Sequence, residues 1–216
     1  MALLDLLMPP ACAGCGTTGT LLCPGCQARL AAPGQPQDRF LAPDAGSVIG
    51  DGVTLALAAF AYAGPMRRAL GALKYSGTSR LAPILARAAL ARLSSLQAIS
   101  GPATLVAVPV HRDRRRVRGY NQAELIALEL AKRAMLPIAP LLVRVRPTTK
   151  QHRLNRTARI ANLRGAFGLA PEAQIPTTVI IVDDIITTTA TLEACASVLR
   201  EAGVGVTYGF AIAREV

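Results

Sequence analysis

The stretch Thr178-Val-Ile-Ile-Val-Asp-Asp-Ile-Ile-Thr-Thr-Thr-Ala-Thr191 leaves this chain few folds to choose from. Its first half, TVIIVDDI (178–185), opens on five consecutive β-branched residues, the mark of a strand buried on both faces of a parallel sheet. The residues that follow, TLEACASVLREAG (191–203), show helical apolar spacing with Gly203 as the stop. Between strand and helix lie two acids and four threonines within five positions. In open α/β sheets ligands bind outside the carboxyl ends of strands. A helix N-terminus there offers free N–H groups and the positive dipole end, which suits phosphate. The segment Thr187, Thr188, Thr189, Ala190 and Thr191 supplies hydroxyls and backbone donors. Asp183 and Asp184 suit the vicinal hydroxyls of a ribose or a Mg2+ ion. The ordered set reads as a ribose 5-phosphate site. Taken singly, Thr191 is also a plain N-cap and the acids plain solvated residues.

The rest of the chain repeats the alternation of strand and helix. Strands are expected at 53–62, 104–110, 140–147, 178–185 and 206–214, and helices at 65–77, 79–96, 121–134 and 191–203. This predicts an α/β domain with a mostly parallel sheet flanked by helices. Residues 31–52, rich in Pro, Gly and Asp, read as a linker. The expected organisation is a small N-terminal module with its linker over 1–45 and the main domain over 46–216.

That N-terminal module holds four of the five cysteines. Cys12-Ala-Gly-Cys15 and Cys23-Pro-Gly-Cys26 are two C-x2-C pairs seven residues apart, each with knuckle spacing. Four thiolates complete one tetrahedral structural zinc site with no open position for catalysis. A segment this short cannot bury a core, so metal would supply much of its stability. Cys195, inside an apolar helix, reads as a buried small hydrophobe.

The net charge of +11 is unevenly spread: residues 61–168 carry twenty basic and three acidic groups, and both flanks are net negative. That concentration points to a polyanionic partner: pyrophosphate, a nucleotide or a nucleic-acid backbone. Arg112, Arg114, Arg115, Arg116 and Arg118 crowd a stretch expected to be a loop after the strand at 104–110. Arginine binds such oxygens bidentately. A second run, with Arg144, Arg146, Lys150, Gln151, Arg153 and Arg159, reads as a mobile basic arm followed by a helix near 153–163. His111 and His152 offer no nucleophile to activate. With no Trp and eight aromatics, a surface built of many stacked aromatics is not expected. The longest uncharged apolar stretch, 52–66, is short of the ~18–20 residues of a membrane span. MALLDLLMPP lacks the basic start of a secretory signal, so a cytoplasmic location without membrane insertion is expected.

Four ordered motifs carry a resemblance. The 178–191 segment resembles the PRPP (5-phosphoribosyl-1-pyrophosphate) signature of type I phosphoribosyltransferases, with Thr189 where that signature has glycine. Around it the chain is similar to the ComF/GntX family, a zinc ribbon followed by a phosphoribosyltransferase-like domain. Tyr62-Ala-Gly…Arg67…Leu73-Lys74-Tyr75-Ser-Gly77, Val108-Pro…Arg114-Arg-Arg116-Val-Arg118-Gly-Tyr-Asn-Gln122 and Arg144 through Gln151, Leu154, Arg159 and Asn162 to Phe167 match its pattern in order. The resemblance implies PRPP held with Mg2+ by Asp183, Asp184 and the 187–191 loop. It adds Lys74 and Tyr75 to the polyanion-binding arginines. It implies work on single-stranded DNA in natural competence, with DNA-uptake proteins as partners. Two alternatives stay open: an active phosphoribosyltransferase with an unknown acceptor, and a PRPP-responsive adaptor without catalysis.

Overall fold

A computed structural model describes residues 9–30, 52–75, 78–147, 163, 165–187 and 189–215. The linker expected over 31–52 lies outside these except for Gly52. Thr188, Lys150, Gln151, Arg153, Arg159 and the helix expected near 153–163, save Leu163, also lie outside them.

Four parallel strands form the central sheet: β1 (Leu55–Ala61), β2 (Thr104–Ala107), β5 (Thr178–Ile186) and β6 (Val206–Arg214), in the order β1-β6-β5-β2. The two central strands are the two longest apolar runs. All seven interior residues of β6 are buried, and Val179 through Val182 of β5 are fully so. Burial on both faces is why these strands read as continuous rather than alternating apolar runs. A single parallel bridge from Leu105 to Ile138 extends the sheet beyond β2.

The helices are α1 (Pro24–Leu30), α2 (Gly64–Tyr75), α3 (Ala82–Ser100), entered through a 3-10 turn at Ser79–Leu81, α4 (Arg112–Arg118), α5 (Gln122–Ala134) and α6 (Ala190–Glu201). α3 and α5 pack on each other and on the sheet, while α6 packs on β5 and β6. Gly209 of β6 makes that last contact close: a Cβ there would lie 2.7 Å from Leu192 Cδ1 and 2.8 Å from Ala56 Cβ. The α/β architecture expected from the sequence is thus the one found, with three differences in detail.

First, the arginine-rich stretch is not a loop but the helix α4. His111 caps it, its Nδ1 accepting from the Asp113 N–H at 3.4 Å, and Gly119 ends it at a φ of 80°. Second, the expected strand over 140–147 shortens to β3 (Leu142–Arg144). It joins no parallel sheet but pairs antiparallel with β4 (Phe167–Leu169), which the sequence did not suggest. Third, the strand expected over 104–110 ends at Ala107.

Cys12, Leu22, Cys26 and Leu30 are buried and continuous with the main core. The cysteine segment is seated on α2 and α3: Arg68 Nε of α2 donates to the Gly14 carbonyl at 2.6 Å, and Arg87 Nη2 of α3 donates to Gln27 Oε1 at 3.3 Å. Among the described residues, no helix is long and apolar enough to cross a membrane.

Candidate functional site

β5 delivers its two acids to the carboxyl edge of the sheet, as its sequence requires. Asp184 is buried and Asp183 partly so. The Asp184 N–H donates to Asp183 Oδ1 at 2.8 Å, which fixes the first carboxylate against the backbone. Lys74, the penultimate residue of α2, places Nζ 2.5 Å from Asp184 Oδ2, with both side chains largely screened from water. Burial first, and then the Asp184 carboxylate, push the Asp183 carboxyl up to about 8. Asp183 therefore holds a proton over much of the neutral range.

The threonine turn follows. Thr187 is exposed, and Thr189 immediately precedes α6. Thr189 has φ −68° and ψ −6°, an ordinary right-handed conformation, so this threonine carries no backbone strain. Ala190 and Thr191 form the first turn of α6, whose N–H groups face outward from the helix start.

Two of the basic elements come to the same edge. Arg144, on β3, has its guanidinium carbon 4.9 Å from the Phe167 ring centroid. Burial, and then the positive charge of Arg114, hold the Arg144 guanidinium below its usual value, while Cys195 and Asp183 oppose them. Arg114, Arg144, Asp183 and the buried Cys195 are therefore within electrostatic reach of one another. Burial drives the Cys195 thiol well above its usual range, which leaves it an inert thiol beneath the acids.

The remaining expected residues go elsewhere. Arg115 pairs with Glu124 at 3.3 Å. Arg112 and Arg116 are exposed on α4, and Arg146 is half-buried beyond β3. Arg118 lies 5.4 Å from the centroid of the Tyr75 ring and donates to Gln122 Oε1 at 2.9 Å. Tyr120 O–H donates to the Leu73 carbonyl at 2.8 Å, and Asn121 Nδ2 to the Val108 carbonyl at 2.9 Å. Tyr120, Asn121 and Gln122 thus join the ends of α2, β2 and α5. Sequence reasoning left Phe167 without a role, and its place under Arg144 has no local signal in a three-residue strand.

The second candidate site is the cysteine cluster. The four Sγ atoms of Cys12, Cys15, Cys23 and Cys26 all lie within 4.8 Å of one another, and Cys15 and Cys23 are 3.6 Å apart. A zinc at ~2.3 Å from four sulfurs puts them about 3.8 Å apart, so the donor set fits one such ion. Gly14 and Cys23 N–H groups donate to Cys12 Sγ at 3.4 and 3.2 Å, as thiolates in knuckles require. Arg29 Nη2 donates to Cys26 Sγ at 3.3 Å. The Thr17 hydroxyl and backbone draw the Cys15 thiol down to about 6, while burial pushes Cys26 up to about 11. Gly14 is required here: a Cβ would lie 2.6 Å from Cys26 Sγ.

No protein-family model matches the chain. Individual proteins do. The chain is 37% identical over 106 residues to Competence protein F of Haemophilus influenzae, covering 48% of this chain and 46% of that protein. It is 32% identical over 146 residues to DNA utilization protein YhgH of Escherichia coli K12, covering 66% and 64% respectively. The Salmonella typhi protein of the same name is 33% identical over 148 residues. The matched region spans less than two thirds of the length of these relatives.

Proposed function

We propose that this chain of the ComF family has a role in competence and DNA uptake, binds PRPP and handles incoming single-stranded DNA in the cytoplasm. The observation that carries the first half is the joint placement of Asp183, Asp184, Thr187, Thr189 and the α6 N-terminus at one sheet edge. In this reading Asp183 and Asp184 hold the ribose hydroxyls. The 187–191 segment and the first N–H groups of α6 hold the 5-phosphate. Lys74 neutralises the Asp184 carboxylate, and Arg114 and Arg144 face the pyrophosphate. Mg2+ would supply further charge neutralisation on the pyrophosphate. Residues 1–45 form the zinc-bearing module, and 46–216 the phosphoribosyltransferase-like domain.

The test is calorimetric titration of the zinc-loaded protein with PRPP and Mg2+, beside an Asp183→Ala/Asp184→Ala variant. Binding by the wild type that the variant loses supports the site. A wild-type protein that binds no PRPP refutes it.

A second reading is an active phosphoribosyltransferase, favoured by the unstrained Thr189, which leaves the loop free to hold substrate. Pyrophosphate release from PRPP with any member of a panel of bases and amines supports it; PRPP binding without release leaves an adaptor.

A further inference from the structure

Among the described residues Tyr75 is the one exposed aromatic, and the resemblance places it with the polyanion-binding arginines. It ends α2, directly after the lysine that pairs with Asp184. Its side chain is 70% exposed, even though the Arg118 guanidinium lies over the ring. Neither partner is loosely held. Leu73, two residues before Tyr75, is fully buried and its carbonyl accepts from Tyr120. Arg118 is fixed by Gln122, itself buried at the start of α5. An exposed ring with a cation on one face leaves its other face open for stacking on a planar group.

Arg118 is also the last residue of α4, a helix with no buried side chain. Arg112, Arg115 and Arg116 stand at i, i+3 and i+4, so they share one face of it, and all three are exposed. Like charges at that spacing destabilise a helix. A two-turn helix without buried side chains has little packing to offset the cost. Among the described residues Glu124 pairs with Arg115, while Asp113, the one acid of α4, sits 3.1 Å from His111 Nδ1. A polyanion laid along α4 would relieve all three.

We propose that Tyr75, backed by Arg118, is a base-stacking platform for single-stranded nucleic acid, whose phosphates run across Arg112, Arg115 and Arg116. The proposal rests on the single-stranded DNA reading above and locates the strand on the protein. Duplex DNA keeps its base faces stacked on each other and has none to offer the ring. An acidic peptide matches the arginines but brings no π-face. The platform is one residue from Lys74, so the strand passes beside the ribose-phosphate site. One aromatic, rather than a row of them, suffices because the arginine face supplies the sequence-independent attraction.

The experiment titrates the zinc-loaded full chain with fluorescein-labelled dT15 over a series of salt concentrations, and with the same strand carrying one 2-aminopurine. Tyr75→Ala should weaken binding roughly tenfold and abolish the quenching of 2-aminopurine, with the salt slope unchanged. Tyr75→Phe should bind as the wild type does. Arg112→Gln/Arg116→Gln should lower the salt slope by about 1.4, the value for two phosphate contacts on a single strand. Circular dichroism and melting of each variant establish that it is folded. Tyr75→Ala binding with wild-type affinity, while the arginine variant is weakened, overturns the platform and leaves the DNA reading intact. Poly-glutamate displacing dT15 at equal charge concentration shows a charge-only surface and overturns the platform. A wild-type protein that binds no dT15 at low salt overturns platform and DNA reading together.

Discussion

Asp183 makes the candidate site a weak point of the fold, and replacing its carboxyl should reveal by how much. Unfolded, the group titrates near its usual 3.8, while in the folded chain burial and Asp184 move it to about 8. A carboxyl raised in this way folds most favourably when protonated. Its cost is absent below pH ~4, grows as pH rises, and is complete above about 8. Between pH 5 and 8 the ceiling is three units at about 1.4 kcal/mol each, or ~4 kcal/mol. Water reaching the partly exposed side chain reduces this to ~2 kcal/mol. Asp183→Asn keeps the shape and removes the ionisation. The variant should be more stable than the wild type at pH 8.5, with an advantage ~2 kcal/mol larger than at pH 5. For a urea m-value of ~2 kcal/mol per M, the difference in midpoints should change by about 1 M between the two pH values. The cysteine cluster titrates equally in both proteins and cancels in the comparison. PRPP affinity should fall in the same variant. A difference that does not vary with pH, or that grows toward acid, would refute the reasoning.

Two further outcomes are expected. Gly209→Ala should lower stability by ~1–2 kcal/mol and Tm by about 3–6 °C, because the new methyl meets Leu192 and Ala56; a melt at or above the wild-type temperature would show that α6 yields. Colorimetric assay should find about one zinc per chain, and chelation or Gly14→Ala should remove it and lower the melting temperature, since the ligands share the main core; full stability without zinc would contradict this.

The central strands and their partner helices were legible because long apolar runs carry their own period. β6 agrees residue for residue with its sequence expectation, and α5 begins at Gln122, one residue inside the helix expected over 121–134, with Asn121 as its cap. The acids and threonines were legible because strand end, turn and helix start are contiguous. α4 was not, because five arginines argue against a helix. Its two ends decide the matter, through the His111 cap and the left-handed Gly119. The antiparallel pair β3–β4 was hidden for another reason: three residues are too few to show a period, and the pairing joins segments more than twenty residues apart. The convergence of Lys74 and Arg144 on the acids is tertiary and has no trace in local pattern.

α2 touches both sites. Near its start, Pro65 and Arg68 abut Gly14 in the cysteine segment; at its end, Lys74 grips Asp184 and Tyr75 carries Arg118. Its 12 residues make a rod about 18 Å long. A rod anchored at both ends delivers tilt at one to the other. Under the proposed function, any effect of zinc on ribose-phosphate affinity would have to be matched by an equal effect of the ribose phosphate on zinc affinity. If the proposed site binds PRPP, zinc depletion would act on it through α2, without any change to the residues that line it.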